Sequence, residues 1–174
     1  MIPLKFGKTA FALLTGKISI DSYSTTIKKL TLAQQKGFVQ IVPARLVAGK
    51  RHIAAALEHA LFALGNGTAF SKNLELEFLI RLLGEKQLNT VLKNVQFGNE
   101  EVAIVARMNG GKKPSGLMEE FNFKEIKNFK FGKNKKRLMG FYKISEKALE
   151  TLSDAENALE ELVIEKISFV ELER

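Results

Sequence analysis

The chain has 174 residues, a formal net charge of +8, and neither cysteine nor tryptophan. Its 45% apolar and 26% charged residues are typical of a chain that folds around its own core, which excludes disordered and low-complexity classes. The absence of cysteine excludes disulfides, thiolate nucleophiles and cysteine-ligated zinc or iron–sulfur sites.

No apolar run approaches the roughly 20 residues that a membrane span needs, and no secretory signal segment is recognisable. We therefore expect a cytoplasmic protein without membrane contact. No linker rich in Pro, Gly or Ser divides the chain, and no internal repeat is present. These features predict one domain covering residues 1–174.

The first third of the chain predicts two helices and a strand. Asp21 is a candidate N-cap for a helix that ends near Gly37. Residues 38–42 are predicted to form a strand that Pro43 ends. A second helix is predicted from about residue 50 to residue 64, because apolar side chains recur there at helical spacing.

The middle of the chain predicts a helix pair followed by a central strand. Asn73 is a candidate N-cap of a third helix, which Gly84 ends, and a short fourth helix follows. Glu77 and Arg81 are four residues apart in the third helix and are predicted to form a surface ion pair. Residues 102–108 form an apolar, β-branched run that is typical of a central strand.

The last third is less regular. Phenylalanines alternate with basic residues over 121–137, and they either point inward from an edge hairpin or stack nucleic-acid bases. Residues 138–144 are predicted as a returning strand, and Ser153 with Glu156 as the capping box of a final helix. Strands and helices without strict alternation predict a single α+β domain, with a mostly antiparallel central sheet and helices packed on it.

Positive charge is concentrated in two blocks. Residues 1–57 carry a net +8 and residues 112–143 a net +7, whereas residues 58–111 are nearly neutral and residues 144–174 carry −6. The layout indicates a basic face, which either binds nucleic acid or is simply solvated.

Candidates for catalysis are few. His52 and His59 lie seven residues apart, about 10.5 Å along a helix, which is too far to share a metal. No P-loop, nucleophile elbow or kinase catalytic loop is present. We therefore predict no catalytic residue, no metal, no cofactor and no small-molecule substrate. The alternative is a stand-alone enzyme in which His52 is a base acting on an anionic substrate.

Two predicted helix starts carry candidate nucleic-acid ligands. Free backbone N–H groups and the positive end of the helix dipole favour a phosphate there, and basic or polar side chains lie beside them. Helix capping with close interhelix packing is the alternative explanation. The candidate residues are Gly49, Lys50, Arg51, His52, Lys72 and Asn73.

The sequence around these helices resembles a known family. The runs Ala48-Gly49-Lys50-Arg51-His52, Ser71-Lys72-Asn73 and Phe141-Tyr142-Lys143-Ile144-Ser145 are similar to the Cgi-type subunit of the KEOPS complex, whose animal counterpart is the PRPK-binding protein. The resemblance spans most of the chain and is weakest over residues 1–36 and 109–135. The residues carried over by position are Gly49, His52, Asn73, Glu77 and Gln87.

Further candidates come from charge and from a departure from the family pattern. Lys50, Arg51, Lys72 and Arg81 are added to the nucleic-acid ligands because they are basic and close to the matched motifs. The family often has an aromatic residue shortly after the position of Glu77, where this chain has leucine and isoleucine.

The resemblance implies a non-catalytic regulatory subunit. Such a subunit binds and activates a small atypical kinase/ATPase in a complex that makes threonylcarbamoyladenosine on tRNA, and it binds the single-stranded 3′ CCA end of tRNA. We expect the kinase to contact apolar residues of the last helix beyond its core stripe, Ile164 and Ile167. A general basic RNA-binding domain without a protein partner is the remaining alternative.

Overall fold

A computed structural model of the chain describes residues 1–20, 22–35, 37–108, 115–152, 154 and 157–171. The chain divides into two compact units, one made of Met1–Ala44 and Gln96–Phe129 and the other of Arg45–Val95 and Lys130–Arg174. The first unit holds an antiparallel sheet and the second is helical. The predicted α+β class is confirmed, whereas the assignment of residues 1–174 to one domain stays a prediction.

The first unit is built on five antiparallel strands. The strands are β1 (Ile2–Phe6), β2 (Thr9–Lys17), β3 (Val39–Pro43), β4 (Glu101–Arg107) and β5 (Lys124–Glu125). Their order is β1-β2-β4-β3, with β5 paired to the end of β2. The predicted central strand is confirmed, since β4 lies between β2 and β3.

Helices α1 (Tyr23–Gln34) and α5 (Ser115–Glu120) complete the first unit. Leu30 and Ala33 of α1 are buried with strand residues in one core cluster, so α1 packs on the sheet. Ser22 caps α1 by accepting a hydrogen bond from the Thr25 N–H, and the predicted cap Asp21 lies outside the described residues.

The basic segment over 121–137 turns its first two phenylalanines inward. Phe121 and Phe123 are buried in the core cluster of the first unit, and β5 pairs with β2 immediately after them. The predicted inward orientation is therefore confirmed for these two rings, which leaves them no free face for stacking a base, whereas β5 pairs with the distant β2 and not within a local hairpin.

The second unit contains α2 (Lys50–Gly65), α3 (Leu74–Leu83), α4 (Leu88–Asn94), α6 (Lys135–Tyr142), α7 (Glu146–Glu150) and α8 (Ala158–Ser168). α2 packs against both α3 and α8 through a completely buried stripe that includes Ala56, Leu57 and Ala60. The small alanine side chains serve close interhelix packing. The helices predicted at residues 50–64 and between Asn73 and Gly84 are confirmed.

One element was predicted wrongly. Residues 138–144 do not form a strand, because α6 runs through Tyr142 and ends at Lys143, whose φ is +53°. Asn134 begins the helix by accepting a hydrogen bond from the Arg137 N–H at 3.1 Å. Leu138 and Tyr142 are both buried, and their spacing of four residues puts them on one helical face. The predicted capping box of the last helix, Ser153 and Glu156, lies outside the described residues.

Candidate functional site

The N-terminus of α2 is occupied by a carboxylate from α8. Gly49, the N-cap, has an extended backbone (φ −174°, ψ −176°), and the Glu160 carboxylate lies where a Cβ on this residue would be. The His52 N–H donates a hydrogen bond to Glu160 Oε1 at 2.9 Å. Because a helix N-terminus favours an anion, Glu160 takes the position that the sequence pattern assigns to a phosphate.

Lys50 and Arg51 are the exposed cations of this helix start. Arg51 Nη1 lies 3.3 Å from Glu161 Oε1, and both side chains are well exposed, so this ion pair is screened by solvent and contributes little stability. Both cations therefore stay candidates for contact with a phosphate backbone.

The His52 side chain is completely buried. Its Nδ1 accepts a hydrogen bond from the Ala48 N–H at 3.3 Å, and its Nε2 lies 2.9 Å from the Leu82 carbonyl oxygen, so the proton is on Nε2. Burial lowers the pKa of His52 to about 4, and the ring is neutral at pH 7. Contact with RNA and a general-base role both require an accessible ring, so the prediction that His52 is a ligand or a base needs correction.

Tyr142 joins His52 in a buried polar network. Its hydroxyl lies 2.8 Å from the Leu46 carbonyl oxygen and 3.1 Å from the Leu82 carbonyl oxygen, and burial raises the pKa of that hydroxyl. The rings of Tyr142 and His52 meet edge to face at 5.5 Å. The network links the turn before α2, the end of α3 and the end of α6, and it gives His52 a structural role.

The start of α3 is capped as predicted. Asn73 Oδ1 accepts a hydrogen bond from the Leu76 N–H at 3.0 Å. Lys72 and Asn73 are both exposed, and so is Gln87, the N-cap of α4. These three polar side chains are accessible to a ligand.

Glu77 and Arg81 form an ion pair in the interior and not on the surface. Arg81 Nε donates a hydrogen bond to Glu77 Oε1 at 2.8 Å, and both side chains are completely buried. The other carboxylate oxygen, Glu77 Oε2, accepts a hydrogen bond from the Ser71 N–H at 2.9 Å. The surface ion pair was predicted wrongly, and Arg81 as a direct nucleic-acid ligand needs correction, because no part of its side chain reaches solvent.

The predicted ligands form two groups at opposite ends of the α2–α3 pair. The contact between His52, near the start of α2, and Leu82, near the end of α3, shows that the two helices run antiparallel. Asn73 precedes the first turn of α3 and is nine residues from Leu82, about 13.5 Å along the helix axis at 1.5 Å per residue. The structure therefore separates Lys50 and Arg51 from Lys72 and Asn73.

Two residues of this region escaped the sequence pattern. Phe70 is 39% exposed in the loop before α3, and its proximity to the run Ser71-Lys72-Asn73 was the signal that could have identified it. Glu160 is 108 residues from His52, and the acidic first turn of α8 gives no local sign of its partner.

The chain matches the family model of kinase binding protein CGI-121 over residues 20–171. The chain belongs to this family. The match begins after β2 and includes every helix named above. Comparison with curated proteins gave no match. Membership in the CGI-121 family indicates a kinase-binding protein.

The described residues contain neither a three-residue metal site nor a membrane-spanning helix. No three His, Asp or Glu side chains in this part of the chain could hold a metal ion together. No helix within the described ranges has the length and apolar character needed to cross a membrane.

For a CGI-121 family member, exposed apolar residues bear on kinase binding. Leu88 and Leu92 of α4 are 40% and 42% exposed, and their spacing of four residues puts them on one face. Phe169, directly after α8, is 44% exposed. Phe169 and Asn94 at the end of α4 line the same cavity of about 530 Å³, so the ends of both helices border one recess.

The predicted kinase contacts on α8 differ in accessibility. Ile164 is partly exposed, whereas Ile167 is completely buried and packs near Gly84 at the end of α3. The prediction that Ile167 contacts the kinase directly needs correction, because its side chain belongs to the core. Ile164 stays a candidate.

Proposed function

We propose that this chain is a cytoplasmic regulatory subunit of a KEOPS complex. In this role it binds and activates the small atypical kinase/ATPase subunit and binds the 3′ CCA end of tRNA for threonylcarbamoyladenosine modification. Membership in the kinase-binding CGI-121 family is the observation that carries the proposal. The accessible cations at the starts of α2 and α3 support the RNA part.

The kinase contacts the face formed by α4 and the end of α8. Leu88, Leu92 and Phe169 supply exposed apolar area on this face, with Ile164 as a further contact. Apolar side chains at the centre of an interface contribute most of its binding energy when water is excluded around them. Because the family is defined by kinase binding, a kinase is the partner that we assign to this surface.

The kinase contact is tested by a pull-down with the small kinase, followed by its ATPase assay with and without this chain. We expect capture and stimulation with the wild type, and loss of both with Leu88→Ser/Leu92→Ser. Leu32→Ser is the matched control, since Leu32 is an exposed leucine of the first unit. Equal stimulation by the wild type and the double variant contradicts the assigned face.

The RNA contact uses exposed side chains at the two helix starts. Lys50, Arg51 and Lys72 neutralise phosphates, while Asn73 and Gln87 can hydrogen-bond to bases or sugars. Proteins recognise RNA sequence mainly in single-stranded ends and loops, where base edges are accessible, and such sites combine positive charge with base contacts. The free 3′ end of tRNA is a ligand of this kind.

Affinities for full-length tRNA and for tRNA lacking its CCA end test this contact. We expect weaker binding of the shortened tRNA and a steep loss of affinity for both as salt is raised. Equal affinity at moderate salt contradicts recognition of the CCA end. A chain that binds tRNA but neither captures nor stimulates the kinase would instead be a general RNA-binding domain.

The stand-alone enzyme is not carried forward. Its base was His52, whose ring is buried with both nitrogens in hydrogen-bonding contact. Detection of substrate turnover by the isolated chain would support the enzyme hypothesis again.

A further inference from the structure

Phe70 is an exposed aromatic side chain on a fixed loop. The ring is 39% exposed, although the backbone on either side of it is held in place. Before it, the Thr68 N–H donates a hydrogen bond to the Ala63 carbonyl oxygen at 2.8 Å. After it, the Ser71 N–H donates to the buried Glu77 carboxylate at 2.9 Å. The loop therefore presents Phe70 in one position without burying it.

The Glu77–Arg81 ion pair supports the inner side of this ring. The guanidinium carbon of Arg81 lies 5.2 Å from the centre of the Phe70 ring, within the range of a cation–π interaction. Arg81 is completely buried while Phe70 is partly exposed, so Arg81 contacts the ring from the protein interior. Burying an ion pair is costly, and such pairs are weak evidence for stability. Holding the exposed Phe70 ring in place is a function that accounts for the buried Glu77–Arg81 ion pair.

Two lysines and a glutamine lie on the chain segments next to the ring. Lys86 Nζ lies over the ring, 5.7 Å from its centre, so a stacking base would replace this ammonium group on the ring and Lys86 would turn to a phosphate. Gln87 is the next residue along the chain. Lys72 is two residues from Phe70 along the chain, so their Cα atoms are at most about 7 Å apart. An aromatic ring beside lysine ammonium groups is the combination with which proteins bind single-stranded nucleic acid, since bases stack on the ring and lysines neutralise the phosphates.

We propose that Phe70 is the base-stacking residue of the RNA site, with Lys72 and Lys86 on the flanking phosphates. Glu77 and Arg81 are positioning residues that hold the ring and the loop. The proposal rests on the RNA part of the proposed function and adds two contacts to it, Phe70 and Lys86. It assigns recognition of single-stranded RNA to the loop before α3 and the turn after α3.

The test uses a short single-stranded RNA ending in CCA, with affinity measured by titration and base protons followed by NMR. Phe70→Leu keeps an apolar side chain but removes the aromatic face. We expect it to weaken binding between about 5-fold and about 150-fold, the range found for loss of one base–aromatic stack. Upfield ring-current shifts of a base, present with the wild type, should disappear. Phe70→Trp should retain both.

Phe62→Leu is the matched control, because Phe62 is a 62% exposed phenylalanine on α2 of the same unit. It should leave affinity and ring-current shifts unchanged. Melting temperatures of all variants verify folding. Wild-type binding that Phe70→Leu leaves intact overturns this proposal but not the RNA function. Failure of the wild type to bind any RNA overturns the RNA function and this proposal with it.

The positioning role of Arg81 has its own readout. Arg81→Gln removes the cation beneath the ring and should reduce the ring-current shifts of the bound base. Arg81→Lys keeps a cation beside Glu77 and should restore part of them. A purely structural role predicts lower melting temperatures with unchanged shifts in the fraction that remains folded, and that result contradicts positioning.

Discussion

Burial of His52 makes the stability of this chain dependent on pH. The folded state holds the imidazole neutral with a pKa of about 4, against an ordinary value of 6.5. Below pH 6.5 the unfolded chain therefore binds a proton that the folded chain does not bind. The folded-state pKa is depressed, so the stabilisation is complete above pH 6.5 and is lost as pH falls toward 4.

The size of the effect follows from the gap between the two pKa values. A gap of about 2.5 corresponds to about 3 kcal/mol, and between these pH values the slope approaches about 1.4 kcal/mol per pH unit. The free energy of unfolding should therefore fall by about 3 kcal/mol between pH 7 and pH 4 through His52 alone, in addition to changes from carboxylates.

Comparison with His52→Gln isolates this contribution. The glutamine amide can donate to the Leu82 carbonyl oxygen as the imidazole does, but it does not titrate. The variant leaves the Ala48 N–H without its acceptor, which costs about 1 kcal/mol at every pH. In urea unfolding followed by circular dichroism, the wild type should be more stable at pH 7 and less stable at pH 4. A stability difference that is constant over this range refutes the assignment of a buried neutral histidine.

Three other predictions concern the contacts of the second unit. Glu77→Gln should lower the free energy of unfolding by about 3–5 kcal/mol, because Arg81 keeps a buried charge without its counter-ion; a loss below about 1 kcal/mol in urea unfolding contradicts the buried pair. Gly49→Ala should cost about 1 kcal/mol, because its Cβ displaces the Glu160 carboxylate and the hydrogen bond from the His52 N–H is lost; losses by the same method from Gly49→Ala and Glu160→Ala that add in full in the double variant contradict this contact. Lys72→Ala should reduce the slope of log affinity against log salt for single-stranded RNA by about 0.7, the value for one phosphate contact; an unchanged slope removes Lys72 from the interface.

The parts of the fold that were predictable are those set by local sequence. α2 and α3 were predicted because their apolar side chains recur at helical spacing, and because Asn73 and Gly84 mark the two ends of α3. The Asn73 cap and the positive φ of Gly84, +63°, are both properties of a few adjacent residues. Local signals of this kind hold in any tertiary context.

β1 and β2 escaped prediction because tertiary contacts decide their state. β2 is buried at six consecutive residues, from Phe11 to Gly16, so it lacks the alternation that marks a strand with one solvated face. α6 was mistaken for a strand because Leu138 and Tyr142 fit a period of two as well as a spacing of four. The cap at Asn134 favours the helix.

The sequence pattern pointed to the starts of α2 and α3 but did not show which side chains there reach solvent. The spacing of four residues from Glu77 to Arg81 predicts an exposed pair as readily as a buried one, and only the packing of neighbouring helices decides between them. His52 lies beside two exposed cations in the sequence and still points inward. Burial depends on residues far along the chain, such as Glu160 and Tyr142, which no local spacing reveals.

The residues that carry the family resemblance mostly hold the architecture together. Gly49 makes room for a carboxylate, His52 links three segments, Asn73 caps α3, and Glu77 ties Arg81 to the preceding loop. Gly49, His52 and Glu77 are buried, and of these four residues only Asn73 is exposed and accessible to RNA. The proposed RNA contact therefore relies mainly on the exposed residues beside the motif, and for this contact the loop before α3 is better placed than the start of α2. Glu160 already supplies the anion at the start of α2, so an incoming phosphate there would have to compete with it.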